Sequence, residues 1–132
     1  LNIPVCAHMI LGLPGETTQS MLEQTSFANK HQIEVVKLHQ LQILKGSQME
    51  KSYTEHKEHF NLFGLHDYVS FVCDYIERLS PQIAIERFVS QSPSSELIAP
   101  KWGVKNDVVT NMIKQELLQR QSSQGFWLEA NL

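Results

Sequence analysis

The first eleven residues place apolar side chains on both parities of an alternating pattern. Ile3, Val5, Ala7, Met9 and Leu11 share one side, and Cys6, His8 and Ile10 share the other. Largely apolar residues on both sides predict a parallel strand over residues 3–11, covered on each face. Gly12-Leu13-Pro14-Gly15 stops that strand in a tight turn. Glu16, Thr17 and Thr18 then open a helix, with Thr17 or Thr18 as N-cap. It runs to about Lys30 and buries Met21, Leu22, Thr25 and Ala28. A second strand is predicted over residues 33–44, IEVVKLHQLQIL, with Lys37 and His39 on one parity and Val36 and Leu38 on the other. Strand, helix, strand in this order forms a right-handed βαβ unit, the seed of a parallel sheet or barrel.

Periodicity weakens over residues 45–63, which read as an irregular insertion. It returns with Gly64 as N-cap and Asp67 three residues later. Tyr68, Phe71, Val72, Tyr75, Ile76 and Leu79 follow the helical repeat more clearly than any other run, until Ser80-Pro81 ends it. Residues 82–89 read as a third strand and residues 90–95 as a loop. A last helix starts near Asn106 or Asp107, buries Val109, Met112, Ile113 and Leu117, frays from Gln119 to Gln124 and ends at Gly125. Phe126, Trp127 and Leu128 lie in a tail expected to be mobile.

Composition narrows the classes. A length of 132 residues suits one domain, and 42% hydrophobic with 19% charged residues excludes a disordered chain. The longest apolar stretch, Met9 to Leu13, is far too short for a membrane span. A net charge of −3 gives no basic field for a nucleic-acid backbone. No signal-peptide pattern is visible, so a cytoplasmic location is expected. The chain opens at Leu1 inside a strand-like run, which reads as a fragment or a processed product. Cys6 and Cys73 lie far apart and outside any CxxC pattern, so both are read as free buried thiols.

Several residues carry candidate chemistry. The glycine-bracketed turn after the first strand is either a plain strand-to-helix connection or a place where backbone approaches a ligand. It is neither a P-loop nor GxGxxG. Lys37 and His39 on an apolar strand either face a ligand or emerge solvated at the sheet edge. Gln40 and Gln42 read as polar fill beside the core. Arg87 is placed either to clamp a carboxylate or phosphate, or to pair with Glu86 or Glu96. Lys101-Trp102 offers a cation beside an aromatic face, with Trp102 as plain core the competing reading. His56, His59 and His66 lack the HExxH spacing of zinc helices and read as surface residues.

Residue identity says more than spacing. GLPGET after an apolar strand resembles the turn that follows the fifth strand of radical S-adenosylmethionine (SAM) enzymes, such as coproporphyrinogen dehydrogenases and methylthiotransferases. In those families the strand is written GxIxGxxE, and its isoleucine packs on the adenine of SAM. Ile10, Gly12 and Glu16 match that pattern with Pro14 counted as an insertion and His8 in place of the first glycine. VKLHQLQILKGS within residues 33–47, Tyr68 to Asp74, Glu86-Arg87-Phe88, LIAPKW at 97–102, Lys105 and Gln124-Gly125 resemble the YhcC-like family of Elp3-related radical SAM proteins. Glu86 stands where that family usually has histidine.

The resemblance implies an α/β fold, the C-terminal part of a partial (βα)6 TIM-like barrel with SAM and a [4Fe-4S] cluster at the strand C-termini. Residues 1–44 would be the last βαβ unit of the barrel. Residues 45–132 would be an elaboration of two helices and a further strand. Ile10, Leu11, Gly12, Leu13 and Glu16 would form the adenine side of the SAM site, and Lys37, His39, Arg87, Lys101 and Trp102 would face a substrate. The CxxxCxxC motif that binds the cluster is not in the sequence, so the cluster would fall to an N-terminal half of the same protein. That half would be the partner, and this chain alone would be inactive. The open edge of the first strand would be covered by the C-terminal segment or by a second copy. Two other readings stand beside this one: an α/β module whose GLPGE turn grips a small anion, and an interaction domain. Neither a small-molecule nor an RNA substrate is legible.

Overall fold

The computed structural model of the chain describes residues 2–130, with side chains described as far as Leu128. Strand β1 (Cys6–Leu11), helix α1 (Thr18–Lys30) and strand β2 (Val35–Gln40) form the expected parallel βαβ unit. The register runs from Cys6 opposite Val35 to Leu11 opposite Gln40. Thr17 is the N-cap. Its Oγ1 accepts from Ser20 N at 3.0 Å, and Ser20 Oγ accepts from Thr17 N at 2.9 Å. This reciprocal pair satisfies two of the amides that a helix start leaves open.

The predicted second strand is split. The β1–β2 ladder ends where Leu41 N donates to Leu11 O at 2.9 Å. The chain then turns, and β3 (Ile43–Leu44) pairs antiparallel with β5 (Leu97–Ala99) in a separate small sheet. Residues 45–63 are not irregular: Ser47 caps a helix, α2 (Gln48–Glu55), followed by a 3-10 turn (Lys57–His59). Helix α2 buries none of its residues, so it has no apolar stripe for periodicity to reveal.

Helix α3 (Leu65–Arg78), with Gly64 as its N-cap, holds the core together. Tyr68, Phe71, Val72, Tyr75 and Ile76 pack in one cluster with Leu11, Val36 and Leu38 from the sheet and Met21 and Ala28 from α1. Strand β4 (Ala84–Arg87) returns parallel to β2, giving a sheet in the order β1-β2-β4. Because β4 shares the sheet with β1 and β2, the segment after residue 44 completes that layer as well as elaborating it. Helices α4 (Asn106–Gln119) and α5 (Phe126–Ala130) then close against α3.

The C-terminal segment is docked. Gly125 N donates to Ile76 O at 3.1 Å, and a Cβ at Gly125 would stand 2.6 Å from the Pro81 ring. Glu77 is only 5% exposed and accepts from Ser122 Oγ at 2.6 Å and Trp127 Nε1 at 3.1 Å. Arg120 joins the same network, 2.8 Å from Asp74 and 2.6 Å from Glu116, and donates to Ser70 O at 3.2 Å. The tail therefore folds as α5 on a polar anchor. The described C-terminal residues pack on α3 and not on the β1 edge, so of the two expected covers the second copy is the one left.

Candidate functional site

The sheet is covered on one face only. Ala7, Met9 and Leu11 of β1 and Val36 and Leu38 of β2 turn toward the helices. Cys6, His8 and Ile10 are exposed, which corrects the expectation that β1 is covered on both sides. Both parities look apolar in sequence, but the described helices pack against only one of them.

On the uncovered face the strands bring together residues that are distant in sequence. Register places His8 opposite Lys37 and Ile10 opposite His39. The His8 and His39 rings stack, with centroids 5.3 Å apart and planes within 5°. A bulge lies between Val36 and Lys37: Val36 pairs with Ile85, and Lys37 with Arg87. The extra residue, Glu86, accepts an ion pair from Lys37 Nζ at 3.3 Å. Lys37 and His39 thus lie half-buried on the central strand, not at a solvated edge.

Arg87 is exposed, and its expected pairs with Glu86 or Glu96 do not form; among the described residues it has no ion-pair partner. His39 Nε2 is buried without a hydrogen-bond partner. Desolvation, then the nearby His8, Arg87 and Lys37, hold the His39 ring below the ordinary histidine pKa. It is therefore neutral at pH 7. His8 and Glu86 were not among the expected site residues. For His8 the signal was present in its shared parity with Ile10, once β1 is paired with β2.

The turn after β1 is closed from within. Gly12 has φ +95°, and its N–H faces Glu16 Oε2 and Met21 Sδ, each at 3.2 Å. Leu13 N donates to the same Glu16 oxygen at 3.0 Å. The Glu16 carboxylate thus occupies the two amides that a ligand or small anion would use. A Cβ at Gly12 would lie 3.4 Å from the Phe63 ring, so the space beside this glycine is filled by the protein itself. Leu11 is fully buried in the core, and its side chain is shut away from any ligand. Leu13 is half-buried. Of the five residues expected around adenine, Ile10 alone presents an exposed side chain, 43% accessible, beside the histidine stack.

Lys101 and Trp102 belong elsewhere. They line a cleft of about 820 Å³ with Gln40, Ser90, Lys105 and Asn106, and Lys37, His39 and Arg87 are not in its walls. Trp102 is a fixed wall: its Nε1 donates to Phe63 O at 3.0 Å, and its ring lies 5.2 Å from Tyr68. Lys101 is exposed. The five expected substrate-facing residues therefore divide between two places, three on the open face and two in the cleft.

The cysteines do not form a cluster site. Cys6 is exposed, against the expectation of a buried thiol; Cys73 is buried, and burial pushes its thiol up to about 12. The 3-10 turn gathers His56, Glu58 and His59, with ligand atoms within 4.8 Å of one another and all three exposed. HExxH spacing did not anticipate this grouping. No helix among the described residues is long and apolar enough to cross a membrane.

The radical SAM C-terminal domain matches residues 33–119, and the chain belongs to that family. Within it the chain is YhcC-like. It is 31% identical over 101 residues to protein YhcC of Escherichia coli strain K12, which covers 76% of this chain and 32% of YhcC. It is 36% identical over 124 residues to the uncharacterized protein YtqA of Bacillus subtilis, covering 94% of this chain and 38% of YtqA. An uncharacterized protein of Methanocaldococcus jannaschii is 35% identical over 125 residues, with the same two coverages. The chain thus spans 32–38% of the length of these relatives. Among solved structures, the archaeal Methanocaldococcus infernus Elp3 with an N-terminal deletion superposes with a TM-score of 0.75 over 92% of this chain and 28% of that one. At 12% identity this likeness concerns the fold.

Proposed function

We propose that the chain is the C-terminal part of a radical SAM iron–sulfur enzyme, an oxidoreductase or transferase, and that its β1-β2-β4 sheet completes a partial (βα)6 barrel. The observation that carries this reading is the one-sided sheet. Helices pack its apolar face, and its other face offers Ile10, His8, Lys37, His39 and Arg87 to a lumen. The β1 edge supports it. Val5 O and Leu11 O both accept from the β2 side, from Val35 N at 3.2 Å and Leu41 N at 2.9 Å. By alternation the main-chain groups of Cys6, His8 and Ile10 turn outward, ready for a further strand.

In the intact protein Ile10 gives apolar contact to the adenine of SAM, while Glu16 shapes the turn without touching the ligand. Bound there, SAM would supply radical chemistry. Cys6 and Cys73, one exposed and one buried, do not fit the thiolate set of an iron–sulfur cluster. Its ligands lie in the rest of the protein, which is this chain's partner. Lys37, His39 and Arg87 face the substrate, and Lys101 with Trp102 borders a second cleft. The small-anion module is disfavoured, because Glu16 already occupies the amides of the GLPGE turn.

Anaerobic reconstitution tests the reading. The full-length protein should hold a [4Fe-4S] cluster and cleave SAM reductively, and residues 1–132 alone should do neither. A cluster assembled by residues 1–132, or a full-length protein that takes up none, contradicts it.

A further inference from the structure

We infer that the open face binds an oxyanion group of the substrate, a carboxylate or a phosphate, between Arg87 and His39. The inference rests on the reading of that face as the substrate side, and it adds the chemistry the substrate must carry.

Charge accounting on the face comes first. Lys37 and Glu86 neutralise each other across 3.3 Å. Arg87, next to Glu86 in sequence, is left over: its guanidinium is always charged, and it has no ion-pair partner among the described residues. The Lys37–Glu86 pair also ties down the one carboxylate on these strands that would otherwise compete for Arg87. The face therefore has a permanent positive charge that nothing on it balances. A planar guanidinium suits a two-oxygen acceptor, which it holds through two parallel N–H bonds.

An orphaned atom is the second, independent observation. His39 Nε2 is buried without a hydrogen-bond partner, and buried polar nitrogens are almost always satisfied. A group seated over β2 would satisfy it once the ring, now stacked on His8, turns to meet the ligand. Arg87 stands opposite Lys37 in the β2–β4 register, and His39 lies two residues further along β2 on the same face. The two residues therefore flank one place on the face, where an oxyanion would take the guanidinium fork from Arg87 and, with the ring proton on Nε2, a hydrogen bond from His39.

The electrostatics of the imidazole agree with this seat. His8 from β1, Lys37 from β2 and Arg87 from β4 all disfavour a proton on His39. Glu86, the one acid beside them, is held by Lys37. An incoming anion reverses that balance, so its binding draws a proton onto His39 and strengthens as pH falls. The step is a proton transfer alone: an O–H bond of hydronium breaks, an N–H bond on the ring forms, and water is released.

The test uses full-length protein labelled with ¹⁵N-histidine and titrated with inorganic phosphate and, separately, with acetate. Saturable movement of the His39 resonances, with a raised His39 titration midpoint, is expected for at least one anion; the anion that acts identifies phosphate or carboxylate. Arg87→Lys keeps the charge but loses the fork, and should weaken the response at least about fivefold. Arg87→Gln should remove it. His39→Gln, followed through His8, should bind weakly and with less pH dependence than the parent. If neither anion moves His39 while the same sample binds SAM, the oxyanion site is wrong and the radical SAM reading stands. If SAM does not bind either, the underlying reading fails as well. If SAM displaces the anion competitively, the seat belongs to SAM and the assignment to substrate is overturned.

Discussion

Gln40 and Ser90 exchange two hydrogen bonds, Gln40 Nε2 to Ser90 O and Ser90 N to Gln40 Oε1, both 2.8 Å long. The side-chain amide takes the place of a strand partner where the β2–β4 ladder has ended, and it pins the loop that walls the cleft. Leucine at position 40 would leave a half-buried N–H and C=O of Ser90 unmet. Gln40→Leu is expected to lower the unfolding free energy by about 1–3 kcal/mol. Urea denaturation reads this directly, and a loss under half of that would mean that the loop rearranges to satisfy Ser90.

Glu77 and Arg120 make a second anchor. Removing the guanidinium leaves Glu77, only 5% exposed, with Ser122 and Trp127 but no cation. Arg120→Met should cost about 2–3 kcal/mol, a value reduced because the Arg120 side chain is itself 25% exposed. The double variant Arg120→Met with Glu77→Leu should be more stable than Arg120→Met alone, since it no longer buries an unpaired carboxylate. Additive losses in a thermal-melt cycle would show that the pair does not couple.

Thiol labelling separates the two cysteines. Cys6 is exposed on the uncovered face, while Cys73 is buried, donates weakly to Ile113 O at 3.6 Å and has its thiol pushed up to about 12. A disulfide reagent at pH 8 should modify one thiol in the folded chain and two in urea. Rapid modification of both in the folded chain would contradict this packing.

His39 sets a pH trend in stability. Its folded pKa lies below 6.5, so the unfolded chain takes up this proton first as pH falls. The His39 contribution is fully present above 6.5 and is lost as pH drops through the window below it. His39→Gln should therefore flatten the dependence of stability on pH below 6.5 relative to the parent. An unchanged slope in urea midpoints across that window would show that His39 is not desolvated.

Much of this architecture was legible in the sequence. The capped helix α1, the parallel pairing of β1 with β2, and the long apolar stripe of α3 follow from periodicity and from Thr17 and Gly64. Other features were invisible for physical reasons. Helix α2 buries nothing, so its pattern is polar throughout. The split of residues 33–44 depends on β5, more than fifty residues away. Arg120 reaches Ser70, Asp74 and Glu77 on α3, contacts that no local spacing encodes, and only its i,i+4 pair with Glu116 is local. At the site, the parity of Lys37 and His39 was readable, but the occupation of the turn amides by Glu16 was not. Sequence marked Glu16 as a matching residue, and the structure makes it the turn's own ligand.

The account depends most on Ile10, the exposed apolar side chain at the C-terminal end of β1. Ile10→Asp would set a carboxylate against the adenine face and desolvate it on binding. Its exposed position means that the change should leave the melting temperature nearly unaltered. SAM titration of the full-length, cluster-loaded protein should show affinity lower by more than about tenfold, or about 1.4 kcal/mol. Unchanged SAM affinity in a well-folded Ile10→Asp protein would contradict the account and leave GLPGE as an ordinary strand-to-helix turn.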